Sequence, residues 1–115
     1  MEITDSILTS IKKLLGIDAA YNHFDPDLVM HINSVFAILT QMGVGPANGF
    51  SITGAEEKWT DFTDESNKFS LVKSYMHLKV KLLFDPPSSS AVIESHNRQI
   101  SEFEWRLFVA ADPVS

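Results

Sequence analysis

The chain contains no cysteine. That excludes disulfides and thiolate metal sites, and it fits an intracellular origin. No apolar run approaches the roughly 20 residues that a bilayer span needs, so a soluble protein without a membrane partner is expected. The opening MEITDSILTS carries acids and hydroxyls, which does not fit a signal peptide. Basic residues are few: nine Lys and Arg face 15 Asp and Glu, for a net charge of −6. Proteins that grip nucleic acid draw much of their affinity from neutralising phosphates. This balance therefore argues against tight DNA binding, although a duplex could still pass close by.

Motifs of chemistry are also absent. The four histidines, His23, His31, His77 and His96, show neither HxxxH nor HExxH spacing. No serine sits in a GxSxG elbow. The stretch GVGPANG (43–49) has the glycines of a phosphate loop without its Lys-Ser/Thr. Asp61, Asp64 and Glu65 lack the glycine and spacing of an EF-hand and read as a solvated face. Lys12 and Lys13 make one small basic spot. The sequence thus predicts no catalytic residue, no metal, no cofactor and no enzyme.

What is present is a helical pattern in 115 residues, of which 44% are hydrophobic and 21% charged. Ile7, Leu8, Ile11, Leu14 and Leu15 share one face of a helix expected over 4–15, with Gly16 as its stop. Asp25 before Pro26 looks like an N-cap opening a second helix. Leu28, Ile32, Val35, Phe36 and Leu39 line its inner face, and Gly43 closes it. A long loop follows, in which Phe50 and Ile52 could form a short extended piece. Thr53 and Glu56 match a capping box ahead of a short helix bearing Trp59 and Phe62.

A fourth helix is expected over 67–84. Leu71, Val72, Tyr75, Met76, Leu78, Val80, Leu82 and Leu83 cover more than half of its circumference, which predicts a place at the centre of the fold. Asp85-Pro86-Pro87 must end it. Ser88 to Ser90 then offer N-caps for a fifth helix over 89–108, folded back along the fourth. Its stripe is Val92, Ile93, Ile100, Phe103 and Leu107, with His96 inside it, Glu104 at its edge and Trp105 well away from it. A tail of about 110–115 leaves the helix at Pro113. The expected fold is all-α: a small bundle of four to five helices with a long central loop, one domain over 1–115.

Two residues break the pattern, Lys79 on the fourth helix and His96 on the fifth. A buried charge without a partner is costly. Either the lysine stem covers apolar surface while its amine reaches water, or this face meets a neighbouring protein whose acid, such as Glu104 or Glu94, receives the amine. Trp59, Phe62 and Trp105, read as exposed, point the same way, because Trp is enriched at interface hot spots.

The segments ILTSIKKLLGI (7–17), FDPDLVMHINSVFAILTQMGVGP (24–46), KWTDF (58–62) and LVKSYMHLKVKLLFDPPSSSAVIESHNRQISEFEWRL (71–107) resemble the small head–tail connector proteins of tailed bacteriophages. These are also called adaptor or head-completion proteins, and the resemblance is strongest to a group common in siphoviruses and prophages of Gram-positive bacteria. LLFDPP (82–87), the serines after it, NRQISE (97–102) and EWRL (104–107) are the most specific part. The resemblance implies a structural virion protein at the head–tail interface, present in the host cytoplasm during assembly. It implies a homo-oligomeric ring, typically dodecameric, below the portal protein. Such a ring extends the channel through which double-stranded DNA passes and docks a stopper or tail-completion protein. It also implies that Trp105, Arg106, Phe108, Val109 and Pro113 engage the portal. Inter-protomer contacts would then fall to Lys79, His96, Glu104, Trp59 and Phe62. A different class stays open: a small acidic helical regulator that binds a partner protein, in the manner of an anti-repressor or antitoxin.

Overall fold

Apolar spacing decides most of the architecture. The computed structural model describes residues 5–63 and 65–111. They form α1 (Ile7–Leu14), α2 (Asp25–Gln41), α3 (Trp59–Phe62), α4 (Ser66–Phe84) and α5 (Ser90–Ala111). The fold is all-α, as expected. No strand forms among the described residues, and one antiparallel bridge joins Ser6 to Lys58.

α1 begins at Ile7, where its apolar spacing begins and inside the expected 4–15, because the Ser6 hydroxyl caps it by accepting from the Thr9 N–H at 3.3 Å; Thr4 lies outside the described residues. Gly43 ends α2 with φ of 82°. Its N–H donates to the Thr40 carbonyl at 3.0 Å and the next N–H, of Val44, to Leu39 at 2.9 Å. This pair of bonds satisfies carbonyls that the helix end would otherwise leave bare. Leu39 and Val44 are both buried, so the turn is sealed by an apolar contact.

α4 is the hub, as its wide apolar arc predicts: it packs against α1, α2 and α5. Val72, Tyr75, Met76 and Val80 are fully buried around it. The loop between α2 and α4 folds back over this body. The rings of Phe36, Phe50 and Phe62 meet there at centroid distances of 4.9, 4.9 and 5.5 Å. Gly45 (φ 89°) passes so close to the Phe62 ring that a side chain would overlap it. Residues 50–52 form no strand. Instead the Asn33 amide imitates strand pairing: its Nδ2 donates to the Ile52 carbonyl at 2.9 Å and its Oδ1 accepts from the Ile52 N–H at 2.7 Å.

Two expected caps turn out otherwise. Asp25 is the first residue of α2, not its cap; Phe24 is the cap, and no side-chain bond caps the helix. The acid that reaches back to Thr53 is Glu57, not Glu56, and it closes a loop turn with bonds to the Thr53 N–H at 2.8 Å and hydroxyl at 2.9 Å. α3 begins only at Trp59, where the Asp61 carboxylate accepts from the Lys58 N–H at 2.8 Å.

The chain reverses at 85–89, and α5 returns along α4. α5 runs to Ala111, so Ala110 and Ala111 are helical where a tail was expected. Residues 112–115, including Pro113, lie outside the described residues.

Candidate assembly surface

α5 has two opposed faces. Residues advance about 100° each around a helix, which puts Ile100, Phe103 and Leu107 on one side and Trp105, Phe108 and Val109 on the other. Ile100 and Leu107 are buried and Phe103 half-buried against the body. Trp105, Phe108 and Val109 are 66%, 59% and 40% exposed. Three large apolar side chains at i, i+3 and i+4 therefore form one continuous outer patch. Arg106 borders it and pairs with Glu102 one turn earlier at a short distance, 2.6 Å. Both partners are mostly exposed, so this pair contributes little to stability. Of the residues expected to engage a portal, Trp105, Arg106, Phe108 and Val109 are thus together on the surface.

The residues assigned to a neighbouring protomer do not form one surface. Trp59 and Phe62 are a correction: both are core residues, 0% and 5% exposed. The Trp59 indole N–H donates to the buried Ser10 hydroxyl at 3.2 Å. A side chain wholly covered by its own protomer has no surface left for a neighbour. Glu104 also acts within the protomer: it accepts from the Tyr75 hydroxyl at 2.8 Å across the α4–α5 contact. Burial, with the Glu104 carboxylate beside it, pushes the Tyr75 phenol far above its usual range. Lys79 is half-buried, and no carboxylate lies within 4 Å of its amine among the described residues. His96 is half-buried, and its Nδ1 is covered without a hydrogen-bond partner.

The basic spots shrink further. Lys12 does not join Lys13 on the surface: its side chain is 3% exposed and its Nζ lies 2.9 Å from Asp25 Oδ1. The same amine donates to the Ala19 carbonyl at 3.0 Å. Lys81 is paired with Asp85 at 2.9 Å. In the acidic 56–65 stretch, Glu57 is drawn into its loop: burial pushes its carboxyl up, but hydrogen bonds from Thr53 and Gly54 prevail and hold it below the usual range. Glu65 stands 3.6 Å from Lys68. Asp64 lies outside the described residues.

Pattern reasoning missed Lys12–Asp25 and Tyr75–Glu104. A signal for the second was present: a tyrosine inside an apolar arc and an acid at the edge of an apolar stripe each need a polar partner. The first left no such trace, because Asp25-Pro26 already had a local explanation. Among the described residues no group of three or more His, Asp or Glu could hold a metal. No described helix is long and apolar enough to cross a membrane. The surface grooves are open; one, along α2, is lined by Asn33, Ala37, Thr40, Asn48, Gly49, Phe50 and Ser51, without an acid, base or nucleophile pair.

No curated protein and no solved structure matches the chain significantly. A family model described as phage connector protein matches residues 7–114, nearly the whole length. Its members are structural virion components that join other virion proteins, not enzymes. A bundle with an apolar outer face on α5 suits that role, and the chain belongs to the phage connector protein family.

Proposed function

We propose that the protein assembles as a ring, typically of 12 copies as the family resemblance implies, beneath the portal of a tailed phage of Gram-positive bacteria. There it continues the DNA channel and docks a stopper or tail-completion protein. One observation carries the reading: the outer face of α5 holds Trp105, Phe108 and Val109 opposite the stripe that packs the same helix onto its own body. An exposed apolar patch of this kind is a mark of a protein–protein contact. In this reading the face, with Arg106 and the segment from Asp112 through Pro113, meets the portal. Lys79 and Leu83, which is 52% exposed, meet the next protomer. The net charge of −6 favours a channel wall that a duplex slides past. The family match over 7–114 is the reason for preferring this to a free regulator.

The test is incorporation onto DNA-filled, portal-bearing heads that lack the protein. Phe108→Glu and a chain lacking Asp112–Ser115 should keep the helical circular dichroism of the wild type and fail to load. Normal loading of both would remove the portal assignment. Light scattering of the free protein separates a preformed ring from a protomer that assembles only on the portal.

A further inference from the structure

The cover that the body gives α4 runs out towards its C-terminal end. Val72 and Met76 are fully buried; Lys79, further along the same face, is half-buried, and Leu83 is 52% exposed. α5 shows the same at its near end. Val92 shares the stripe of Phe103 and Leu107, yet it is 42% exposed. The corner end of the α4–α5 hairpin thus stands open. It presents two apolar side chains and, in Lys79, an amine with no carboxylate within 4 Å among the described residues.

α2 carries an unused stripe on its outer side. Asp27, Met30, Ser34, Ala37 and Gln41 recur at alternating steps of three and four, and all are exposed, Met30 by 57%. That spacing is the seam along which a second helix packs. Ser34 and Ala37 are small enough to admit a close approach. The Ser34 hydroxyl already donates to the Met30 carbonyl at 3.0 Å, so covering it orphans no polar group. Asp27, like Lys79, has no ion pair among the described residues.

The distribution of charge selects what covers the hairpin end. Residues 1–65 hold ten acids and three bases, whereas residues 66–115 hold five acids and six bases. Hairpin against hairpin would set Lys79 beside Lys79, and α2 against α2 would set Asp27 beside Asp27. Hairpin against α2 brings opposite charges together and matches apolar to apolar. We propose that the open hairpin end of one copy seats the outer stripe of α2 of the next, Lys79 against Asp27 and Leu83 against Met30. This rests on the ring reading above, to which it adds the receiving surface. A contact between two unlike surfaces runs head to tail, the kind from which rings are built.

The chain has no cysteine, so single introduced thiols report the contact without background. Met30→Cys and Leu83→Cys chains, each first shown to keep the wild-type helical circular dichroism, are oxidised at high concentration, separately and as a mixture. The mixture should form a disulfide-linked dimer several times faster than either chain alone. Adding Lys79→Glu to the Leu83→Cys chain should slow this linking by about fivefold. Asp27→Lys in the Met30→Cys chain should then recover most of the loss. Equal rates for the mixture and the separate chains would overturn the contact. So would linking that neither charge reversal changes, or slowing that Asp27→Lys does not relieve. Loading onto portal-bearing heads is read separately: linking in solution without loading would leave this contact in place and remove the portal reading.

Discussion

Lys12 and Asp25 meet across the α1–α2 turn as an unequal ion pair, the lysine side chain 3% exposed and the aspartate 28%, with 2.9 Å between Nζ and Oδ1. The contact ties α1 to the first turn of α2, and the Ala19 carbonyl, on the turn between them, takes a second hydrogen of the same amine. The inequality makes the two deletions differ. Asp25→Ala strands a buried ammonium and should cost about 3 kcal/mol, at the lower end for a broken buried pair. Lys12→Met fills the lysine's space and leaves a carboxylate that is 28% exposed although its Oδ1 is covered, so it should cost less. Urea denaturation of both variants measures the order, and an equal or reversed order would mean that the amine, not the acid, is the hydrated partner.

The Tyr75–Glu104 bond joins the buried face of α4 to α5. Tyr75→Phe should cost about 1 kcal/mol, the usual net worth of one hydrogen bond. A phenol whose folded pKa is raised keeps its full stability contribution below the unfolded value of about 10, and loses it as pH rises beyond. Ultraviolet titration of the wild type should show a late tyrosinate component that coincides with alkaline unfolding. The Tyr75→Phe variant should lack that component; its persistence would place the late titration elsewhere.

Gly45 and Gly54 make a matched pair. Gly45 has φ of 89° and faces the Phe62 ring, so Gly45→Ala should destabilise by more than about 1 kcal/mol. Gly54 has open space at its Cβ position, and alanine there should be neutral or stabilise by up to about 1 kcal/mol. Thermal melts decide the matter. Similar effects at both positions would show that the loop accommodates Phe62 in more than one way.

Lys79 carries no ion pair within its own protomer among the described residues, so Lys79→Met should leave the isolated protomer folded and within about 1 kcal/mol of the wild type. Urea denaturation of the isolated protomer measures this. A larger loss would make the amine an internal structural group and end its assignment to a neighbouring copy.

The free protein should not bind duplex DNA. With Lys12 buried and Lys81 paired, the basic surface is smaller than the nine Lys and Arg suggest. Fluorescence anisotropy at low salt, where phosphate contacts are strongest, gives the most permissive test. Micromolar binding that weakens steeply with salt would favour a nucleic-acid-binding regulator over the proposed conduit.

The long helices were readable because each carries its own periodicity, and the proline pair fixed the corner between α4 and α5. Position on a four-residue helix was not readable. Trp59 and Phe62 sit on less than two turns, so no repeat can say which way they face, and what lies against them is distant in sequence: Ser10 and Phe69 beside Trp59, Phe36, Gly45 and Phe50 beside Phe62. Asp25 shows a different limit. Its place before Pro26 is explained twice, by a local cap and by a distant lysine, and only the fold decides between them. The outer face of α5 was half readable: Trp105 stands off the stripe in any helical projection and Phe108 lies within the expected 89–108, but placing Val109 beside them needed the helix to continue past 108.

α5 leans chiefly on α4, and α4 is the last helix before it in the chain. A ribosome therefore delivers α1, α2, α3 and their hub before it delivers the segment with the sticky outer face. Because nascent chains fold from the N-terminus as they emerge, the body has a template ready when α5 appears. The exposed apolar face thus follows the body in the chain, so synthesis stalled before α5 yields a body without the surface that the proposed assembly would use.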